Sequence, residues 1–290
     1  MNTIVVTSSE ITGMPQASND DQLVLMWLHK TDSEATQKAY KRAIGRLRAW
    51  LNQQGVTQLA RATAVDFLEY LETFPEKWSD ATRNQHKAAI KSLWTYGAEL
   101  QYFKFNIPHA VYKLKKPRPV TAERILTEGE MAEALKAEPN PRAKLFLRFL
   151  FGTGVRVSEA LAVQWKDFYR RGDRVFLMIE HGKGDKFREI GCPTNIYADI
   201  LKSRPTIDAN DARAFKISYP TAWYWTRRAL KRIDKIGSPH WLRHAHAVVS
   251  HEKGAEWHAI ARQLGHNKPS FTMDRYGHFA GKHSSDFIDC

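Results

Sequence analysis

Between residues 151 and 278 the chain carries arginines, a lysine, histidines and a tyrosine at spacings that can bring charged side chains to one place. In FGTGVRVSEAL (151–161), Gly152 and Gly154 break one helix and Val155–Leu161 starts another, with Arg156 and Glu159 three apart and able to share a face. In HGKGDK (181–186), Lys183 stands between two glycines at the tip of a turn, where the backbone can approach a ligand closely and an ammonium can reach a phosphate. His240 and Arg243 lie three apart on a helix opened by Pro239, so both can point to one site. His266 follows a Leu-Gly break, and Tyr276 comes ten residues later. Singly, each group has an ordinary reading: an i,i+3 ion pair, a solvated turn, a surface or satisfied core histidine, a packing aromatic. A zinc site carries low weight, because no HExxH occurs and His240 with His244 lacks a third ligand at an obvious spacing.

These groups need elements to position them. From Asp20 to about Tyr102 apolar residues recur at helical spacing: Leu23, Met26 and Trp27; Tyr40, Ile44, Leu47 and Leu51; Val65, Leu68 and Leu71; Ile90, Leu93 and Tyr96. This predicts a bundle of about four helices, with starts at Ser33, at Thr63 and at Ser79 with Asp80. The segment KLKKPRP (113–119) is basic and broken by two prolines, which predicts a stiff linker and a domain boundary. The remainder is also mostly helical, except that Arg174–Glu180 and Lys186–Ile190 read as two strands of a hairpin turning at HGKGD. The fold class expected is mainly α: an N-terminal helical bundle followed by a mixed, mostly α domain with a small antiparallel sheet.

The chain has 290 residues, 44 Lys and Arg against 31 Asp and Glu, and a formal charge of +13, a surplus that attracts polyanions such as nucleic acid. With 43% hydrophobic residues and nine tryptophans it can fill buried cores. Cys192 and Cys290 are too few and too far apart for a disulfide framework or a cysteine metal site, which fits a reducing cytoplasm. The opening MNTIVVTSSE lacks the basic start and apolar core of an export signal, and no stretch approaches the ~18 apolar residues of a membrane span. A cytoplasmic protein that is not embedded in a membrane is expected.

Taken together, TGVRVSEAL, GKGDKFREI, HWLRHAHA, LGH and RYGH occur in the order of the tyrosine recombinase, or phage integrase, family, and the match runs from Ile125 to His278. The chain resembles that family, in particular its Xer-like or plasmid-resolution members. The resemblance implies that Arg156 and Arg243 clamp a phosphate and that Lys183 is the hairpin lysine. It makes His240 and His266 the two active-site histidines, Glu159 a supporting acid and Tyr276 the nucleophile. The gap between His266 and Tyr276, with Pro269 inside it, is one residue longer than in many Xer-type relatives. The implied domains are a leader at 1–18, a core-binding domain at 19–112 that clamps DNA, a linker at 113–119 and a catalytic domain at 120–290.

What the resemblance implies about chemistry is cleavage and rejoining of double-stranded DNA through a 3′-phosphotyrosyl link, with no cofactor, metal or ATP. Guanidiniums meet two nonbridging oxygens at once, His266 adds a donor, His240 takes the phenolic proton, and Lys183 protonates the departing 5′-oxygen. Partners implied are duplex DNA, a tetramer of the chain on two DNA sites, and accessory DNA-bending proteins. Arg83, Lys87 and Lys91 recur at helical spacing, and with Lys113, Lys115, Lys116 and Arg118 they are candidates for backbone contacts. Two other functions share some of these features: a type IB topoisomerase, and a DNA-binding protein of the same fold without cleavage. The complete Arg, Lys, His, Arg, His, Tyr set argues for the enzyme.

Overall fold

The computed structural model describes residues 17–115, 124–180, 187–206, 209–266 and 268–277. The chain divides into two compact units, Met1–Arg118 and Pro119–Cys290.

The first unit is a helical bundle: α1 (Asp20–Leu28), α2 (Glu34–Gln53), α3 (Ala64–Glu72), α4 (Asp80–Glu99) and a short α5 (Ile107–Val111). The helices begin where side chains can satisfy the first unpaired backbone N–H groups. Ser33, Thr63 and Ser79 each accept from the third residue beyond, and Thr63 forms a reciprocal box with Asp66. Trp27 stacks on Tyr40 at 4.6 Å and Trp94 on Phe103 at 4.5 Å, within a core that includes Leu23, Ile44, Leu47, Phe67, Tyr70 and Leu93. Helix α3 forms as predicted but presents another face. Val65 and Leu68 are exposed, while Phe67 and Tyr70 are fully buried. Burial scales with the apolar area removed from water, so the two aromatic rings prevail over the smaller aliphatic side chains.

The second unit contains α6 (Glu128–Ala137), α7 (Pro141–Thr153), α8 (Val157–Ala162), β1 (Phe168–Arg171), β2 (Arg174–Ile179), β3 (Arg188–Cys192), α9 (Thr194–Lys202), α10 (Tyr219–Lys231), α11 (Pro239–Glu252), α12 (Trp257–Leu264) and α13 (Pro269–Tyr276). The strands form an antiparallel sheet in the order β1-β2-β3. β2 and β3 pair in the register Val175↔Cys192 to Ile179↔Arg188, as expected of the hairpin. Its turn, with Lys183, lies outside the described residues. Strand β1 extends the prediction: its four residues, FYRR, are too few to show an alternating pattern, but Arg171 pairs with Arg174 across a tight turn at Gly172, whose φ is 60°. The core packs Phe146, Phe149 and Leu150 of α7 against Leu177, Ile190, Ile200 and Trp225. Buried Glu138, after α6, anchors α10 by accepting from Arg228 and Arg232.

The end of α7 sets the path of the chain into α8. Gly152 does not break the helix, which continues to Thr153; it is small because a Cβ there would lie 2.4 Å from Ile196 Cδ1 of α9. Gly154 ends the helix with φ 66°, and a Cβ would lie 2.5 Å from the His246 ring. Its carbonyl is therefore free to turn toward α11. Gly154→Ala should lower stability by about 1–3 kcal/mol through the left-handed backbone alone, with a steric cost added. Equilibrium urea unfolding measures this, and an unchanged midpoint would mean that the turn relaxes without cost.

Candidate active site

Arg156 occupies the N-cap of α8, and its backbone N–H donates to Glu159 Oε2 at 2.8 Å while its Nη1 donates to Oε1 at 2.7 Å. The i,i+3 ion pair expected from the sequence is thus present, but it is half of a larger arrangement. Arg188 at the start of β3 donates to both oxygens of the same carboxylate, at 3.0 and 2.8 Å. Glu159 is 4% exposed. Burial alone would raise its pKa, but the hydrogen bonds and charge of Arg188, with the hydrogen bonds of Arg156, outweigh that and hold it at about 2. Arg188 is within reach of sequence reasoning, since it lies in the GKGDKFREI motif, yet nothing local pairs it with a residue 29 positions earlier.

Arg243 is also nearly inaccessible, at 4% exposure. Its Nη1 donates to the Gly154 carbonyl at 2.7 Å and its Nη2 to the Leu264 carbonyl at 2.6 Å, with His266 Nε2 at 3.3 Å from Nη2. These carbonyls are exposed by the left-handed turns at Gly154 and Gly265 that end α7 and α12. Burial, and then the charge of Arg156, lower the Arg243 pKa to about 10, so it remains a cation at neutral pH. Gln263 fastens α12 to the sheet: its amide donates to the carbonyls of Thr153 and Gly191 and accepts from the Gly191 N–H.

The two remaining links concern α13. His266 Nδ1 lies 2.7 Å from the buried Thr272 hydroxyl, and His244 Nδ1 lies 2.6 Å from the Tyr276 hydroxyl. Tyr276 is 1% exposed and packs with Ala247, Val248, Ile260 and Leu264. Burial raises the phenol pKa, against the opposing charges of Arg275, Arg243 and Arg156. Burial, with neighbouring arginines, lowers His244 to about 3 and His266 to about 4. Both imidazoles are therefore neutral at pH 7. His240, one turn before His244, is an exposed residue whose ring centroid is 6.4 Å from that of His244. Desolvation and then Arg243, Arg156 and Arg275 lower its pKa too.

The structure thus gathers Arg156, Glu159, Arg243, His266 and Tyr276 with His240 on α8, α11, α13 and the turn before α13, whereas Lys183 is outside the described residues. The phenol's partner is His244, where the family resemblance points to His240. In the sequence His244 enters only beside His240 as a zinc ligand of low weight, and the family resemblance gives it no role.

The basic candidates of the first unit have partners within it. Arg83 donates to the carbonyls of Trp78 and Pro75, Lys91 to Tyr112 O at 3.1 Å and Lys87 to Lys113 O at 3.5 Å. Lys115 pairs with Asp80 at 2.8 Å. Lys113 is exposed, and Lys116 and Arg118 lie outside the described residues.

A compact cluster of guanidinium and imidazole groups around a buried tyrosine on this fold describes a DNA strand transferase. The phage integrase family model matches residues 124–283, and its N-terminal SAM-like domain matches residues 25–102. The chain is 31% identical over 239 residues to the tyrosine recombinase XerA of Pyrococcus horikoshii, covering 78% of this chain and 80% of that one. It is 27% identical to the tyrosine recombinase XerD of Mycobacterium tuberculosis, covering 82% of this chain and 85% of that one. Among solved structures it is similar to XerH bound to its difH substrate in a post-cleavage complex (TM-score 0.67, 18% identity, 93% of this chain and 84% of that one). A λ integrase tetramer bound to a Holliday junction is also similar (TM-score 0.68, 16% identity, 86% and 76%). The chain belongs to the phage integrase family and is a site-specific tyrosine recombinase.

The depressed Glu159 pKa carries over to stability. Ionised Glu159 stabilises the fold above the ordinary carboxylate range, and this contribution is lost as pH falls from about 4.5 through about 2. Each tenfold change in an ionisation equilibrium is worth ~1.4 kcal/mol, so Glu159→Gln should be less stable than the native chain by about 3 kcal/mol at neutral pH. The gap should narrow over that acid window in urea titrations; stability curves that stay parallel down to pH 2 would remove Glu159 as the source.

Proposed function

We propose that this recombinase cuts duplex DNA with Tyr276, forming a 3′-phosphotyrosyl link and releasing a 5′-hydroxyl, and that the reverse reaction joins a strand from a second site. The observation that supports this most is on α11. Within five residues the helix supplies His240, Arg243 and His244, so the phosphate clamp and the phenol's hydrogen-bond partner share one rigid element.

A phosphodiester under attack gains charge on its nonbridging oxygens. Arg156 and Arg243 are planar donors that meet such oxygens two at a time, and His266 adds a third donor. Arg243 Nη2, which can only donate, lies 3.3 Å from His266 Nε2, so here the imidazole carries its hydrogen on Nδ1 toward Thr272 and offers Nε2–H to a phosphate in the other tautomer or when protonated. Fixed donors in a desolvated site are worth ~3 kcal/mol each by analogy with oxyanion holes. The phenol loses its proton to an imidazole of α11, and Lys183 supplies one to the 5′-oxygen. Because the covalent link preserves the energy of the broken bond, neither ATP nor a metal enters the scheme.

The first unit, with Lys113, Lys115, Lys116, Arg118 and the Arg83, Lys87, Lys91 row of α4, would complete a clamp around the duplex. The λ integrase tetramer on a Holliday junction supports assembly of four copies on two sites, with accessory DNA-bending proteins as further partners. No described helix is long and apolar enough to cross a membrane, and we place the reaction in the cytoplasm, where DNA is at hand.

Tyr276→Phe removes one oxygen. It should bind DNA with unchanged affinity and give no covalent product on a denaturing gel with a nicked trapping substrate. Covalent product from this variant would assign the nucleophile to another residue.

A further inference from the structure

The family assignment leaves one feature of the site without a role: a second imidazole on α11, buried and in contact with the reacting atom. His244 is 9% exposed, and its Nδ1 is 2.6 Å from Tyr276 Oη. The phenol is buried among apolar side chains, so its hydrogen needs an acceptor, and among the described residues His244 is the partner it has. His240, the other imidazole at this end of the helix, is exposed, stacks near His244 with ring centroids 6.4 Å apart and makes no hydrogen bond among the described residues.

We propose that His244 is a catalytic residue of the cleavage step, the group that accepts the phenolic proton as Tyr276 attacks. The inference rests on Tyr276 as nucleophile. In the step, the O–H proton moves along the existing hydrogen bond to Nδ1 while a lone pair of the same oxygen forms the bond to phosphorus. The bond from phosphorus to the 5′-oxygen breaks, and that oxygen takes a proton from Lys183. When a 5′-hydroxyl attacks the phosphotyrosine, its proton passes to the now neutral Lys183, and the proton on His244 returns to the departing phenolate.

Three features suit His244 to this task. It is neutral, so the nitrogen facing the phenol has a lone pair to offer. It is adjacent in sequence to Arg243, so the proton acceptor and the phosphate clamp move as one body on α11. Burial is the larger influence on both groups and resists an imidazolium and a phenolate alike, but the guanidiniums of Arg275 and Arg243, which also disfavour the imidazolium, act in favour of the phenolate. An arriving phosphate places negative charge among the same arginines, which eases formation of the imidazolium. His240 is left to contact a nonbridging oxygen from the open side of the site.

The test separates proton acceptance from packing. His244→Asn keeps a hydrogen-bond acceptor near the position of Nδ1 but cannot take a proton. With saturating nicked substrate, formation of the covalent complex should slow by roughly 10²- to 10⁴-fold, the span of general base catalysis, with DNA affinity unchanged. Placing a fluorinated tyrosine with a more acidic phenol at position 276 should restore most of that rate in the His244→Asn protein. A substrate with sulfur as the 5′-leaving atom, which relieves the need for Lys183, should restore none of it. The comparison of the two phenols is made within one background, and His244→Gln, read in the same way, serves if the Asn protein binds DNA poorly. Cleavage by His244→Asn at the native rate would overturn the proposal, as would a slow variant that the acidic phenol does not rescue. Rescue confined to His240→Asn would pass the role to His240. If the unsubstituted chain forms no covalent complex, the reading of Tyr276 as nucleophile has failed instead.

Discussion

The candidate active site depends on one buried carboxylate. Glu159 accepts from the backbone N–H and guanidinium of Arg156 and from both outer nitrogens of Arg188, and these bonds fix the first turn of α8 against the start of β3. Two arginines could not be brought this close inside a protein without a counter-charge, since an unpaired charge in the interior costs several kcal/mol. Arg243, buried beside them, forms no ion pair with a carboxylate among the described residues and is held by two main-chain carbonyls. The cluster therefore carries more positive charge than Glu159 neutralises. The field is visible in its neighbours: His240, His244, His266 and Arg243 all have lowered pKa values, to which desolvation and the surrounding arginines both contribute. A desolvated excess of cations is complementary to a phosphodiester and more so to its attacked form, which gains charge.

The rest of the second unit holds that excess in place. Helix α7 ends at Gly154 and α12 at Gly265, and the carbonyls freed there seat Arg243, while Gln263 ties the same two ends to β3. Any relaxation that spread the cations apart would have to break several short bonds between four elements at once. Helix α13 is attached differently, through a small apolar cluster and the pairs Thr272–His266 and Tyr276–His244. Each polar link joins α13 to an imidazole of the site, so the position of the tyrosine and the state of the histidines are coupled by construction.

Much of this is legible in the sequence because it rests on local rules. Caps at Ser33, Thr63 and Ser79, Pro239 in the first turn of α11, and the β2-β3 hairpin follow from side chains within a few residues of one another. What the sequence leaves open depends on partners far along the chain. The choice of Phe67 and Tyr70 over Val65 and Leu68 is decided by the bundle around α3. Gly152 reads as a helix breaker, but its size is required by Ile196, 44 residues later. Arg188 and His244 gain their meaning from Glu159 and Tyr276, at separations of 29 and 32 residues, where no periodicity could connect them.

The cationic cluster has its purpose only if Tyr276 is the attacking group. The direct measurement is to trap the covalent complex on a nicked duplex, digest both components and locate the attached nucleotide by mass spectrometry. The expected product is a single modified peptide beginning after Arg275, with a 3′-phosphate esterified to the Tyr276 oxygen. A nucleotide attached to any other side chain, or linked through a 5′-phosphate, would contradict it.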